Sequence, residues 1–267
     1  MQIKYSDLRK SSPLPSEKFD FLAGESLNFS KEKLLMISNS LELSPIQLKK
    51  IKKNQALTLA GTPPEYIFKK AYFAENKFYV DENVLIPRPE TEILIQEAAS
   101  FLINRKNSKI LDLGTGCGCI AISLKKIFHN AEIIASDISS DALKIAKKNA
   151  KAHKTKINFI KSDLLQNIDQ KFDLICTNLP YIDPTDPDFK KLADPKIALD
   201  GGKDGFELIE KFLLKLPNHL TKNGIAILEI GHNQEKLIKK CAKNIGFKCK
   251  IKNDLNNFAR IALISKK

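Results

Sequence analysis

From residue 85 onward the chain alternates short apolar runs with amphipathic stretches, and that alternation constrains the fold more than any single residue does. Runs at 109–113, 131–136, 157–161, 172–177, 224–230, 247–253 and 258–265 read as strands. The stretches 90–104, 119–128, 140–154, 204–216 and 233–245 read as helices. Alternation of this kind requires a mostly parallel sheet covered on both faces. The last two strands have no helix between them, so they should pair as an antiparallel hairpin across 253–257. Residues 1–68 show no strand alternation, and 16–22, 31–39 and 45–59 read as short helices. Ser44-Pro45 suits the cap and first position of the third. Residues 69–84, with Phe73, Phe78, Tyr79 and Val80, read as a hairpin linker turning at Asn76-Lys77. The expectation is an α/β chain: a doubly wound, mostly parallel seven-stranded sheet over 85–267 and a small helical domain over 1–68. Residues 182–203 form a long Asp- and Pro-rich loop, and loops of that length in a compact domain usually carry function.

In open sheets of this type ligands bind at the carboxyl ends of the strands. Here those ends carry chemistry. The first strand runs into Gly114-Thr115-Gly116-Cys117-Gly118, whose glycines permit a tight turn and close approach of a ligand. The third glycine comes one residue too early for the dinucleotide pattern, and no Gly-Lys-Ser/Thr follows to make a P-loop. The second strand ends in Asp137, placed to take ribose hydroxyls, and the third in Asp163, placed to accept from an adenine amino group. Each acid alone is more often a helix cap or a solvated loop residue. Three such features in register favour a nucleoside site.

The fourth strand ends in Thr177-Asn178-Leu179-Pro180-Tyr181-Ile182. Pro180 removes a backbone donor and fixes φ, which leaves neighbouring carbonyls unpaired. Asn178 adds a side-chain acceptor and donor, and Tyr181 a flat wall. Two acceptors and a ring can grip a planar NH2 group, on an amide or an aromatic amine. Taken alone, the motif fits a simple Pro turn as well.

This order of features resembles the class I S-adenosylmethionine-dependent methyltransferases, with Asn178-Leu179-Pro180-Tyr181 as the amino-methylating motif. Leu85-Ile86-Pro87-Arg88-Pro89-Glu90-Thr91-Glu92 resembles the signature ahead of the catalytic domain in release factor glutamine methyltransferases. Asp194 to Gly205, Glu229-Ile230-Gly231 and Gly61 to Ile67 resemble further stretches of that family. The resemblance covers roughly residues 60 to 267. It implies methylation of the side-chain amide nitrogen of the glutamine in a Gly-Gly-Gln loop of class I peptide chain release factors, with S-adenosyl-L-methionine as cofactor.

By the same resemblance, Gly114, Thr115, Gly116, Cys117 and Gly118 would cradle the methionine end, Asp137 the ribose, and Asp163 and Leu164 the adenine. The Asn178 oxygen and the Leu179 or Pro180 carbonyl would take the two N–H groups, with Tyr181 against the amide plane and Pro87, Arg88 and Pro89 as the opposite lip. Glu90 or Glu92 would bind the cofactor ammonium or orient Arg88, or simply cap a helix. Positioning an amide nitrogen in line with the methyl can supply roughly 7–11 kcal/mol of barrier lowering. The helical domain would contact the release factor or support the catalytic domain.

Two residues depart from the family pattern. Leu179 replaces the first Pro of Asn-Pro-Pro-Tyr, and Asn-Leu-Pro-Tyr is more typical of ribosomal RNA adenine dimethyltransferases. Those enzymes lack Ile-Pro-Arg-Pro-Glu-Thr-Glu and carry their helical substrate domain after the catalytic one. Leu164 stands where an aromatic residue is common. The alternatives are an adenine N6-methyltransferase acting on ribosomal RNA or DNA, a glutamine methyltransferase of a ribosomal protein, and a binding module without chemistry.

The net charge of +13 invites a nucleic-acid reading, but of 44 basic residues only Arg9, Arg88, Arg105 and Arg260 are arginine. Lys144, Lys147, Lys148, Lys151 and Lys154 fall opposite Leu143, Ala146 and Ala150 at helical spacing, which marks a solvated face. A weak RNA contact through this basic surface is the most the charge implies. Five cysteines without a Cys-x-x-Cys pair fit a reducing cytoplasm, and Cys117 and Cys119 read as small residues filling a turn, with no metal site. No 18-residue apolar run and no apolar signal core over Met1 to Asp7 occur, so neither a membrane span nor secretion is expected. A monomer is expected.

Overall fold

The computed structural model describes residues 3–267; Met1 and Gln2, which belong to the expected helical domain, lie outside the described residues. The chain forms two compact units, Met1–Lys70 and Ala71–Lys267. Among the described residues no helix is long and apolar enough to cross a membrane.

The first unit contains β1 (Ile3–Lys4), α1 (Tyr5–Lys10), α2 (Ser16–Leu27), α3 (Lys31–Ile37), β2 (Glu42–Leu43), α4 (Pro45–Leu59) and α5 (Pro64–Phe68). Tyr5, Phe19, Leu22, Leu34, Leu43 and Ile51 form its core. A reciprocal cap starts α4: Gln47 N donates to Ser44 Oγ, Ser44 N donates to Gln47 Oε1, and Pro45 takes the first helical position. The Asp20 carboxylate accepts from Tyr5 and twice from Arg9, which fastens α1 to α2. The pairing of β1 with β2 is too short to leave a period-two pattern in the sequence.

The second unit opens with the hairpin β3 (Ala71–Phe73) and β4 (Asn76–Phe78). Its turn is Ala74-Glu75, with φ of 45° and 60°, and not Asn76-Lys77, which pair across the ladder with Phe73 and Tyr72. Two contacts hold this unusual turn: Asn76 Nδ2 donates back to Ala74 O at 2.5 Å, and Glu92 Oε1 accepts from Ala74 N at 2.9 Å. Then follow α6 (Glu92–Leu102), β5 (Lys109–Leu113), α7 (Cys119–Ile127), β6 (Glu132–Asp137), α8 (Ser140–Ala152), β7 (Asn158–Lys161), β8 (Phe172–Thr177), α9 (Glu207–His219), β9 (Leu220–Glu229), α10 (Glu235–Asn244), β10 (Phe247–Asn253) and β11 (Ala259–Lys266).

These strands make one seven-stranded sheet in the order β10-β11-β9-β8-β5-β6-β7. Six strands run in one direction, and β11 alone is reversed, entering antiparallel between β9 and β10, as the missing helix predicts. Strand β5 pairs with both β6 and β8, so the winding direction reverses there. Leu111, Ile134, Ile175 and Leu228 on the strands pack with Ile209, Phe212, Leu213 and Leu216 of α9.

Helix α9 begins three residues later than the periodicity predicts. Gly202, Asp204 and Gly205 take positive φ of 75°, 55° and 66°, which a helix cannot continue through. Strand β9 begins at Leu220 instead of 224, with a register shift against β8 between Phe172 and Leu174. The 182–203 segment holds 3-10 turns at Phe189–Lys191 and Lys196–Ala198 and closes on itself through a bridge between Ile182 and Asp200.

Candidate active site

A cavity of about 430 Å3 opens at the carboxyl ends of β5, β6, β7 and β8, where the winding reverses. It is lined by Gly114, Thr115, Gly116, Cys117, Asp137, Asp163 and Leu164 on one side and by Asn178, Leu179, Pro180, Pro87, Arg88 and Thr91 on the other.

The glycine turn is held by backbone contacts. Gly114 N and Thr115 N both donate to Ser136 O, and Gly116 N donates to Asp137 Oδ2 at 2.8 Å. The other Asp137 oxygen accepts from Ser139 N at the head of α8. Asp137 therefore clamps the turn as well as facing the cavity, a duty its position in the sequence does not show. Burial pushes its carboxyl up, against the pull of those amides. A Cβ on Gly116, at φ of 54°, would meet nothing within 4 Å, so the turn leaves open space on the cavity side. Gly118 does not line the cavity. Its φ is 85°, and a Cβ there would press on Ala146 Cα at 3.3 Å, so this glycine lets α8 pack closely.

Asn149 Nδ2 donates to Cys117 O and to Tyr79 O, and Tyr79 N donates to its Oδ1, so the turn is tied to the hairpin exit. Contact with Cys117 and burial push the Cys119 thiol up. Beneath the turn Asp112 is fully buried; its Oδ2 accepts from Thr115 Oγ1 and Ala121 N, while Oδ1 has no partner. Burial raises that carboxyl to about 7. Asp163 is exposed and accepts from Gln166 Nε2, and Leu164 takes φ of 47°, its carbonyl tied to Ser162 Oγ.

On the opposite side Asn178 Nδ2 donates to Thr91 Oγ1 at 3.1 Å. Thr91 Oγ1 in turn donates to Glu229 Oε2 at 2.6 Å, and the Tyr181 hydroxyl donates to Glu229 Oε1 at 2.9 Å. Burial pushes the Glu229 carboxyl up, opposed by these two hydrogen bonds. Tyr181, expected as a wall of the pocket, is not among the lining residues, because its ring packs on the core and its hydroxyl is spent on Glu229. Leu179 packs into the core: it is 4% exposed, and a Cβ on Gly114 would lie 3.6 Å from Leu179 Cδ2.

A strap from residues 182–208 fixes the backbone behind Asn178. Ile182 N donates to Leu199 O, Gly201 N to Ile182 O, and Gln234 Nε2 to both Gly205 O and Tyr181 O. A Cβ on Gly201 would fall 2.8 Å from Tyr181 Cα, so only glycine lets the strap lie this close. Arg88 pairs with Asp194 at 2.5 Å, and Asp194 Oδ1 also accepts from Ile86 N. Arg88 is thus oriented by Asp194 and not by Glu90 or Glu92; Glu92 is spent on the hairpin turn. Pro89, expected in the lip with Pro87 and Arg88, is exposed, lies outside the lining, and begins the 3-10 turn Pro89–Thr91 ahead of α6.

Thr91, Glu229, Asp194, Gln234 and Asn149 are the connecting residues that spacing alone does not find. Glu229 carried two signals: the resemblance of Glu229-Ile230-Gly231 to a family stretch, and a charged residue at the carboxyl end of the apolar run Ile225 to Leu228.

The family profile described as Methyltransferase small domain matches residues 90–193. The release factor glutamine methyltransferase of Lactococcus lactis subsp. lactis (strain IL1403) is 40% identical over 218 residues, covering 80% of this chain and 77% of that protein. The ribosomal protein uL3 glutamine methyltransferase of Francisella tularensis subsp. tularensis (strain SCHU S4 / Schu 4) is 42% identical over 187 residues, which span 67% of this chain and 60% of that protein. Among solved structures, a T. Thermophilus 16S rRNA methyltransferase in complex with AdoMet and guanosine shares the fold, with a TM-score of 0.55 and 18% identity, covering 74% of this chain and 50% of that one. The seven-stranded, mostly parallel sheet agrees with that fold, and at 40% identity along most of the Lactococcus enzyme the chain belongs to the release factor glutamine methyltransferase family.

Proposed function

We propose that this chain transfers a methyl group from S-adenosylmethionine to the side-chain amide nitrogen of the glutamine in the Gly-Gly-Gln loop of class I peptide chain release factors. The observation that carries the reading is one cavity joining the glycine turn to Asn178, with the Asn178 amide nitrogen already committed to Thr91. An Asn held this way offers its oxygen to the cavity as an acceptor.

The residues fit the cofactor. The cavity volume lies in the range for a ligand of that size, its lining is largely apolar with a few polar groups, and Gly116 leaves room for close approach. Gly114 to Cys117 would take the methionine end, Asp137 the ribose and Asp163 with Leu164 the adenine. When bound, the cofactor supplies an electrophilic methyl on a sulfonium. The chain's own part is to receive the amide. Asn178 Oδ1 and the Leu179 or Pro180 carbonyl would accept its two N–H groups. Those acceptors lean on positive charge as it grows on the nitrogen. Pro87 and Arg88 would cover the cavity against water.

The first unit, Met1–Lys70, is assigned to release-factor contact, a role the family resemblance suggests. The substrate and its setting in translation imply a cytoplasmic enzyme. A second reading, methylation of a glutamine in a ribosomal protein, is favoured by the uL3-directed relative at 42% identity. The adenine reading rests on an Asn-x-Pro-Tyr corner that serves an exocyclic amine equally well; Leu179 adds little to it, because its side chain packs in the core against Gly114 and leaves the acceptor set of Asn178 and the neighbouring carbonyls unchanged. The test is mass spectrometry of a release factor incubated with the enzyme and S-adenosylmethionine. A single methyl on the Gly-Gly-Gln glutamine is the expected product, and an unmodified loop would reject the reading.

A further inference from the structure

Resting on the methyl-transfer reading, the hydrogen bonds behind Asn178 explain why its amide faces one way. A threonine hydroxyl has one proton to give. Thr91 gives it to Glu229 Oε2 at 2.6 Å, and an ionised carboxylate can only accept. The Thr91 oxygen therefore meets Asn178 with a lone pair, and only the Nδ2 side of the amide satisfies it. The opposite rotamer would set Asn178 Oδ1 against that lone pair.

The position of Thr91 sharpens the point. It ends the 3-10 turn Pro89–Thr91 with helical φ/ψ, so its side chain has no capping duty at the start of α6. The hydroxyl is left to Glu229 and Asn178. Glu229 ends strand β9 with 2% exposure, and Thr91 has 3%, so water does not substitute for either. A carboxylate is costly to bury, and this one is satisfied by the Thr91 and Tyr181 hydroxyls.

We propose that Glu229 and Thr91 are positioning residues: Glu229 sets the direction of the Thr91 hydroxyl, which locks the Asn178 amide with Oδ1 toward the substrate nitrogen, and Glu229 holds Tyr181 with its other oxygen. Glu229→Gln reverses the chain. The glutamine amide can donate to Thr91, the Thr91 proton then turns to Asn178, and the Asn178 amide presents Nδ2 where an acceptor is needed. Thr91→Val removes the hydroxyl at nearly constant shape, and Thr91→Ser keeps it.

Steady-state kinetics on a release factor separate this from a packing role. Thr91→Val and Glu229→Gln should lower kcat by roughly 10- to 100-fold with little change in KM, the pattern for a contact that strengthens in the transition state. Cofactor affinity by calorimetry should stay near wild type, the melting temperature should fall by only the few degrees that one lost buried hydrogen bond costs, and Thr91→Ser should recover most of kcat. Wild-type kcat in the valine and glutamine variants, or a serine variant as impaired as valine, would overturn the proposal.

A readout without turnover keeps it independent of the substrate reading. The Asn178 side-chain NH2 resonances, assigned by their loss in Asn178→Ala, should shift and exchange faster with solvent in Thr91→Val and Glu229→Gln. Resonances unmoved in both variants would overturn it even where the enzyme methylates release factors. Moved resonances in an enzyme inactive on release factors would uphold it and reject only the substrate.

Discussion

Arg88 and Asp194 lie 106 residues apart in the chain, yet the guanidinium and the carboxylate meet at 2.5 Å on the wall of the cavity. Asp194 is almost wholly buried while Arg88 is partly exposed, and the same carboxylate takes the amide of Ile86. The pair joins the Ile-Pro-Arg-Pro-Glu-Thr-Glu stretch to the Asp-Pro-Lys stretch. A partly buried, geometrically tight pair of this kind counts for more than a surface bridge.

Asp194→Ala leaves the Ile86 amide without its acceptor and frees Arg88. A stability loss of about 1–3 kcal/mol is expected in urea melts. A double-mutant cycle with Arg88→Ala should show coupling of about 0.5–3 kcal/mol, and additive effects would mean that the two do not support each other.

The strap depends on a glycine. Gly201→Ala forces a methyl against Tyr181 Cα and Gly205 O, both backbone atoms that cannot rotate away. The enzyme should stay folded and bind cofactor, while methyl transfer falls by at least about tenfold through misplacement of the Asn178 corner. Circular dichroism with single-turnover kinetics checks this, and a fully active variant would show that the strap does not set the corner.

Asp137 both faces the cavity and receives Gly116 N and Ser139 N. Asp137→Ala should weaken S-adenosylmethionine binding by more than about tenfold in calorimetry, since it removes a charged acceptor worth about 1.5–3 kcal/mol and loosens the turn. Unchanged affinity would exclude this acid from the ribose site.

Asp112 predicts a pH signature. Burial lifts its carboxyl from 3.8 to about 7 in the folded chain. Between those values the folded state keeps a proton that the unfolded state has lost, so this group's contribution falls as pH rises through the window, by up to about 1.4 kcal/mol per pH unit. Asp112→Asn removes that titration. The stability of wild type relative to the variant should therefore fall between about pH 4 and pH 7 and level off above. Parallel profiles would mean that Asp112 stays ionised when folded.

Much of this was legible in the sequence because it follows from local pattern. Apolar runs fix the strands, the missing helix after β10 fixes the antiparallel pair, and the residues at and just past the carboxyl ends of β5, β6 and β8 line the cavity. What was not legible depends on contacts between distant residues. The Ala74-Glu75 turn exists because Glu92 reaches it, and α9 starts late because the strap needs Gly202 and Gly205 at positive φ. The resemblance places Pro89, Gly118 and Tyr181 in the pocket, and each serves elsewhere: at a helix start, in close packing on Ala146, and on Glu229. Leu179 reads as a clue to substrate, and its side chain lines the cavity from within the core.

The most direct test offers the purified enzyme radiolabelled S-adenosylmethionine with four acceptors in parallel: a class I release factor, its Gly-Gly-Gln to Gly-Gly-Ala variant, ribosomal protein uL3 and ribosomal RNA. Label on the wild-type release factor alone is the predicted result. Label on the Gly-Gly-Ala variant, on uL3 or on RNA in preference to the release factor would contradict the proposed substrate.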